Sequence, residues 1–451
     1  MTPPMPVTAR HTLLGGITPT VKLLQYPGHL PVRAWQTYPP IQVCNLRTVL
    51  IHKQARTFPI RTNKNRESMS SVLAFISMTE SFGGHEVMLA HWLKELIRQG
   101  EISPILISAE NVKMQAALAG IELQGNYIPA LPPFAKRLPR ALKKLATLLY
   151  LMLRFAKVRC LSGASNAVVS EGSLMSEPLA TMAARLVFRR VHVYVPLVES
   201  FHALGYPGPD GATQRFMRIY RWLPHSWITL SSDHANIFRS WSGVKQPVHV
   251  LSNTTMDGIE NASASNATAP SPESELRVLV LGRLTAYHKG LDFLLAYAQK
   301  NADSLVASRI KFRLVGDGEY KADILAAMEA TPGLDRVLEL APWCPPLEAY
   351  RQSDCVLLAS RIEGVPLVML EAMALGIPVV ASDLPGTRGY LPVECLFPIG
   401  DLSRAMDLIQ QLRDPEFRDL CIKKNQARYQ AAASGTAFSE NTRQLTPKLI
   451  G

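Results

Sequence analysis

Short continuous apolar runs alternate along this chain with longer stretches in which apolar residues recur every three or four positions. The first run, 71–77 (Ser-Val-Leu-Ala-Phe-Ile-Ser), is too uniformly apolar for a sheet with one wet face and suits a parallel strand buried on both faces. Gly83 and Gly84 follow, and then a helical period through about Gln99. The same reading predicts strands at 102–108, 166–170, 192–196, 227–231 and 247–251, with helices between them. The rhythm restarts at 276–281 and continues at 311–315, 337–340, 355–359 and 378–381. Such alternation predicts an α/β protein of doubly wound domains. Residues 257–275, rich in Asn, Ala, Ser, Thr and Pro, read as a linker. The expected organisation is therefore one domain over 69–256, a second over 276–430, and a C-terminal tail over 431–451.

Composition narrows the class. A chain of 451 residues that is 47% hydrophobic is long enough for two cores. No apolar run reaches the roughly 18 residues of a membrane-spanning helix. The six cysteines show no Cys-x-x-Cys pair or metal-ligand spacing, which points to a reducing cytoplasm. The net charge of +12 is unevenly placed: residues 1–68 hold nine Lys or Arg and one acid, Glu67, and so carry +8. With nine prolines and little apolar pattern, this segment reads as disordered, as a targeting peptide without a secretory h-region, or as sequence ahead of a true start at Met69, the reading favoured here. A second basic segment, 134–160, has eight Lys or Arg and no acid around the apolar run 145–153. It is either a surface for an anionic bilayer or an ordinary packed helix with solvated charges. No nucleic-acid-binding module is visible, so nucleic acid is not an expected partner.

The chemistry concentrates after the run 355–359. Glu363 and Glu371, with seven residues between them, flank a turn that opens a helix apolar all round from Leu367 to Leu375. Pro366 suits the first helical position, and Gly376 suits a left-handed cap. Glu371 is the only charge between Leu367 and Ser382, and a lone buried carboxylate needs specific partners. Helical side chains lean toward the N-terminus, which directs Glu371 at the crevice above the strand ends, where Glu363 also sits. Upstream, the strand 276–281 runs into Gly282-Arg283-Leu284 and Lys289-Gly290-Leu291-Asp292, bringing two cations to the same sheet edge.

Together these residues resemble the family-4 retaining glycosyltransferases of the GT-B fold, over about 69–414. The resemblance implies two Rossmann-like domains facing a cleft, and transfer of a sugar from a nucleotide-sugar donor to a glycan or lipid-linked acceptor with retained anomeric configuration. It implies that Glu363 is catalytic and holds donor-sugar hydroxyls, that Glu371 holds the ribose, and that Gly282, Arg283 and Lys289 meet the diphosphate. Gly364, Val365, Pro366, Leu367 and Val368 would form the donor-binding turn, and Gly84 the glycine loop of the other domain. The resemblance also implies that no metal or other cofactor is required, consistent with the absence of an Asp-x-Asp motif; the cysteine pattern and the basic segment 134–160 place the protein in the cytoplasm, peripheral to the membrane. Three departures stand out. The usual Gly-Gly-x-x-Glu is replaced by Pro385-Gly386-Thr387-Arg388-Gly389-Tyr390. The usual acceptor-side His is missing after Val195, leaving Glu199 and His202 as substitutes, of which His202 is the candidate catalytic residue. Trp343 stands where the family has Gly, and either stacks on the nucleotide base or caps the core. A catalytically silent GT-B protein that binds nucleotide-sugar or glycan in assembly is the alternative, but it would be expected to have lost one of Glu363, Arg283, Lys289 or Glu371.

Overall fold

The computed structural model describes residues 71–451 except 81, 206–210, 257, 263–269, 272 and 343. The expected extension 1–68 and Trp343 lie outside the described residues. The first domain is built on a seven-stranded parallel sheet: β1 Ser71–Ser77, β2 Ile102–Ala109, β3 Gln124–Ile128, β4 Asn166–Ser170, β5 Arg190–Tyr194, β6 Ser226–Thr229 and β7 Val248–Val250. Their spatial order is β3-β2-β1-β4-β5-β6-β7. The second domain has β8 Leu276–Leu281, β9 Ile310–Val315, β10 Leu338–Ala341, β11 Cys355–Leu358, β12 Val379–Ser382 and β13 Leu396–Phe397, in the order β10-β9-β8-β11-β12-β13. All strand pairs are parallel. Strand order reverses between β1 and β4 in one sheet and between β8 and β11 in the other, and each reversal opens a crevice at the C-terminal strand ends.

The apolar runs have the cause expected of them. Within β1, Leu73 and Phe75 enter the core on one face while Ala74 and Ile76 enter the core on the other. Trp92, buried in the Gly84–Gln99 helix, meets Phe75 and Tyr194 edge-on at centroid distances of 5.0 and 5.8 Å. Contacts of this type add about 0.5–1.5 kcal/mol each beyond burial.

Four expectations change. Strands β3 and β13 were not expected, and several predicted ends move by one or two residues. Pro366 is the N-cap of the Leu367–Ala374 helix and not its first residue. The described part of 257–275 is not a free linker throughout: Glu260 accepts hydrogen bonds from the Tyr429 hydroxyl and, at 2.7 Å, from the Gly435 amide. Finally, 431–451 is not a tail. Its helix Gly435–Ile450 returns to the first domain, where Asn166 Nδ2 donates to the Leu449 carbonyl at 2.8 Å and His192 Nε2 lies 3.2 Å from the same oxygen. Phe438, Leu445 and Leu449 are buried, so the helix is held by its apolar edge as well as by its end.

Candidate active site

The second-domain half of the site is a pair of loops stapled together. Arg361, following β11, grips Asp292 through two bonds of 2.5 and 2.6 Å, donates to the Tyr287 carbonyl at 3.0 Å and lies 3.4 Å over the Phe293 ring. Bidentate pairing of this kind fixes orientation as well as distance. It carries the 286–289 segment to Glu363. There Lys289 Nζ donates to Glu363 Oε1 at 2.5 Å, and Ser360 Oγ donates to the same oxygen at 2.7 Å. Glu363 Oε2 has no protein hydrogen bond among the described residues. A cavity of about 20 Å³ sits between Gly282, Arg283, Lys289 and Ser360 at the ends of β8 and β11. One helical stretch further, Glu371 is buried and accepts from the Tyr350 hydroxyl at 2.6 Å through Oε2. Burial, only partly offset by that hydrogen bond, pushes its carboxyl up to about 7.

The first-domain half begins at the end of β1. Glu86, in the first turn of its helix, reaches back to the Gly83 amide at 2.7 Å, as in one half of a capping box. Its other oxygen lies 2.9 Å from His85 Nδ1, and His85 Nε2 lies 2.6 Å from Ser170 Oγ at the end of β4. Burial pushes Glu86 up, but the His85 contact and the backbone amides outweigh it and hold the carboxyl below its ordinary range. The glycine loop is thereby tied across the β1/β4 reversal. Leu367 Cδ1 would lie 3.5 Å from a Cβ at Gly84, and Arg283 Nη2 3.3 Å from one at Gly83, so both glycines face the second domain at close range. Elsewhere the domains meet through Asn253 Nδ2, which donates to the Val365 carbonyl at 2.8 Å. Glu199 follows β5; one of its oxygens is buried without a hydrogen-bond partner. Burial first, and then the charge of Glu363, push it up to about 7.

Residues 275–414 match the family model described as Glycosyl transferases group 1. The chain is 30% identical over 173 residues to the amylovoran biosynthesis glycosyltransferase AmsD of Erwinia amylovora, an alignment covering 38% of this chain and 47% of that one. It is 27% identical over 281 residues to D-inositol 3-phosphate glycosyltransferase 1 of Catenulispora acidiphila, covering 56% and 65%. The chain thus spans about half to two thirds of the length of these relatives. Among solved structures, Anabaena HepE in complex with UDP and glucose superposes with a TM-score of 0.65 at 15% identity, covering 84% of this chain and 100% of that one. Sucrose-phosphate synthase from Thermosynechococcus elongatus gives 0.62 at 16% identity, with 84% and 99% coverage. The architecture is the GT-B fold.

Within the matched region, Gly282, Arg283 and Lys289 line the β8/β11 cavity, Lys289 holds Glu363 beside it, and the 364–368 turn opens the helix that carries Glu371. Val365 is buried and holds the other domain through its carbonyl, Pro366 caps the helix, and Leu367 faces Gly84. The Val368 carbonyl lies 3.3 Å from the Tyr350 hydroxyl. Arg283 is exposed and has no ion pair among the described residues. His202 is placed elsewhere. It is exposed on the wall of a separate cavity, so Glu199, and not His202, is the acidic or basic group after β5 whose charge meets Glu363. Ser360, Tyr350 and His85 were also missed as site residues. Ser360 could have been read from its place directly after β11; nothing in the spacing marks Tyr350.

Proposed function

We propose that the protein is a glycosyltransferase that moves one sugar from a nucleotide-sugar to a glycan or lipid-linked acceptor, with retention of configuration and at an anionic membrane surface. The observation that carries this reading is the pair of carboxylates flanking one turn, each with one oxygen occupied by the protein and the other without a hydrogen-bond partner among the described residues. Glu371 Oε1 is the acceptor for a ribose diol, and Glu363 Oε2 for a donor-sugar hydroxyl. Arg283 and Lys289 neutralise the diphosphate as it leaves, with the start of the Gly84–Gln99 helix facing it from the other domain. In the free protein Lys289 is spent on Glu363; a bound diphosphate competes for it and thereby frees the Glu363 carboxylate for the sugar. Arg283 and Lys289 supply the positive charge that a metal ion would otherwise supply, so no metal is required in this reading.

Calorimetric titration of UDP, GDP and ADP into the protein and its variants is the test. Arg283→Ala and Lys289→Ala are expected to weaken the nucleotide that binds by roughly 2–5 kcal/mol where the contact is dry. Glu363→Gln should cut turnover and spare that affinity, while Glu371→Gln should weaken the affinity itself. Unchanged affinity in both cation variants would sink the assignment.

The membrane part of the reading rests on the Arg140–Ser162 helix. Thr147, Leu151, Phe155 and Val158 are its buried stripe, while Leu142, Leu145, Leu149 and Leu153 form an exposed one at helical spacing, Leu153 being 73% exposed. Lys136, Arg137, Arg140, Lys144 and Lys157 are exposed on or beside it. An apolar stripe with basic flanks suits a bilayer interface carrying anionic lipid. No described helix is long and apolar enough to cross a membrane. Sedimentation with vesicles of phosphatidylglycerol is expected, with little on phosphatidylcholine, and Leu149→Glu with Leu153→Glu should abolish it. Absence of sedimentation with both vesicle types would remove the membrane from the proposal, and equal partitioning to both would remove its anionic part.

A further inference from the structure

A cavity of about 350 Å³ lies in the first domain beyond the ends of β4 and β5, apart from the donor crevice, and none of the residues named for the donor lines it. Its walls include Met175, Phe201, Met217, Phe238, Trp241 and Val244. The volume falls at the low end of the roughly 300–1,000 Å³ range of small-molecule sites. A glycan is a poor occupant, because its hydroxyls would lose water against walls that return few hydrogen bonds. Among the described residues the charged lining is Arg218 and Arg221, with no acid. Arg221 Nη1 donates to the Ser242 carbonyl at 3.0 Å, but its Nε is buried without a partner. That is an N–H in want of an acceptor, in a wall that also carries the Arg218 charge.

The cavity is built rather than incidental. Tyr220 in its wall donates to the buried Glu171, which also accepts from Thr181 Oγ1 at 2.6 Å and from the Met175 amide at 2.9 Å. Burial pushes the Glu171 carboxyl up, favouring its neutral form beneath the wall. Met175 sits at φ +64°, a left-handed conformation costly for a side chain of its size, and the Glu171 bond holds it there with its side chain in the wall. Ser200, Phe201 and His202 in the wall follow immediately on Glu199, whose charge meets Glu363.

We propose that this cavity receives the alkyl segment of an amphiphilic acceptor whose phosphate is met by Arg221 and Arg218, leaving the attacked hydroxyl on the side of Glu199 and Glu363. The acceptor role rests on the glycosyl-transfer reading; the binding does not.

The experiment titrates dodecyl phosphate, and in parallel neutral dodecyl glucoside, into the full chain below their micelle concentrations, with UDP, GDP and ADP titrated alongside. Dodecyl phosphate is expected to bind at least about tenfold more tightly than the glucoside, a difference of roughly 1.4 kcal/mol. Filling the cavity with Met217→Trp, or independently with Val244→Phe should one variant misfold, is expected to abolish alkyl binding while nucleotide affinity stays as in the parent. Arg221→Gln should erase the preference for phosphate. Absence of dodecyl phosphate binding, or binding untouched by both filling variants, overturns the proposal; equal binding of the two amphiphiles overturns its anionic part. If no nucleotide binds while the alkyl titrations succeed, the donor reading fails and the cavity stands.

Discussion

Glu371 spends one oxygen on Tyr350 and keeps its proton to about pH 7, where an ordinary glutamic acid has lost it. The folded chain therefore binds a proton that the unfolded chain releases. The stability this represents is fully present below the ordinary value of about 4.5 and is lost as pH rises through about 7. Glu199 acts in the same direction, whereas His192, held down to about 4 chiefly by burial, adds stability as pH climbs from its folded value to the ordinary 6.5. Glu371→Gln isolates the first of these, since the amide oxygen still accepts from Tyr350. Its melting temperature is expected to exceed that of the parent at pH 8 and to approach it near pH 5. Nucleotide binding at pH 6.5 should release a proton in the parent and less in the variant, read from calorimetry in buffers of different ionisation enthalpy. A melting difference independent of pH would mean that Glu371 is ionised in the free protein.

At the scale of elements, the short Pro385–Arg388 helix shows what the missing Gly-Gly-x-x-Glu became. Gly386 packs directly on the Gly364 carbonyl, where a Cβ would collide with backbone. Thr387 Oγ1 accepts from the Leu384 amide at 3.0 Å, and Arg388 turns outward to Asp383 at 2.8 Å. The segment thus clamps the Glu363–Gly364 turn from behind. Gly386→Ala is expected to cost about 1–3 kcal/mol as overpacking and to lower turnover more than nucleotide affinity, because the turn moves before the Glu371 helix does. Melting and kinetics measured together would check it; full turnover in a destabilised variant would deny the clamp. Legibility followed burial. Strands that are mostly buried on both faces, such as β1, β4 and β8, were read to their ends because nearly continuous apolar runs mark them. β3 escaped because Gln124, Gly125, Asn126 and Tyr127 are exposed or half-buried on an edge, and β13 because it is two residues long. The last helix was hidden because Thr442 and Thr446 stand among its buried positions and Pro447 lies inside it, and because its partners Asn166 and His192 are remote in sequence. In the site, residue types at fixed spacing were legible. Glu199 was legible only as one of two substitutes beside His202, since the choice between them comes from Glu363 in the other domain.

At the scale of the whole molecule, the chain crosses between the domains twice, once before β8 and once at 433–435, and Glu260 binds both crossings through Tyr429 and the Gly435 amide. Thr255 Oγ1, 3.0 Å from the Tyr429 hydroxyl, ties them again. Two connecting segments tied side by side where Glu260 meets 429–435 behave mechanically like a leaf spring: they bend readily about one axis and resist twisting about the other. The donor crevice should therefore open like a book and not by one domain swivelling over the other, so that Gly83 meets Arg283 in the same register at every closure. Glu260→Ala removes two of the three ties, leaving only Thr255 to Tyr429, and leaves both domains intact. Its expected signature is a broader distribution of distances between spin labels on the two domains, narrowed again by nucleotide, with the melting of each domain little changed.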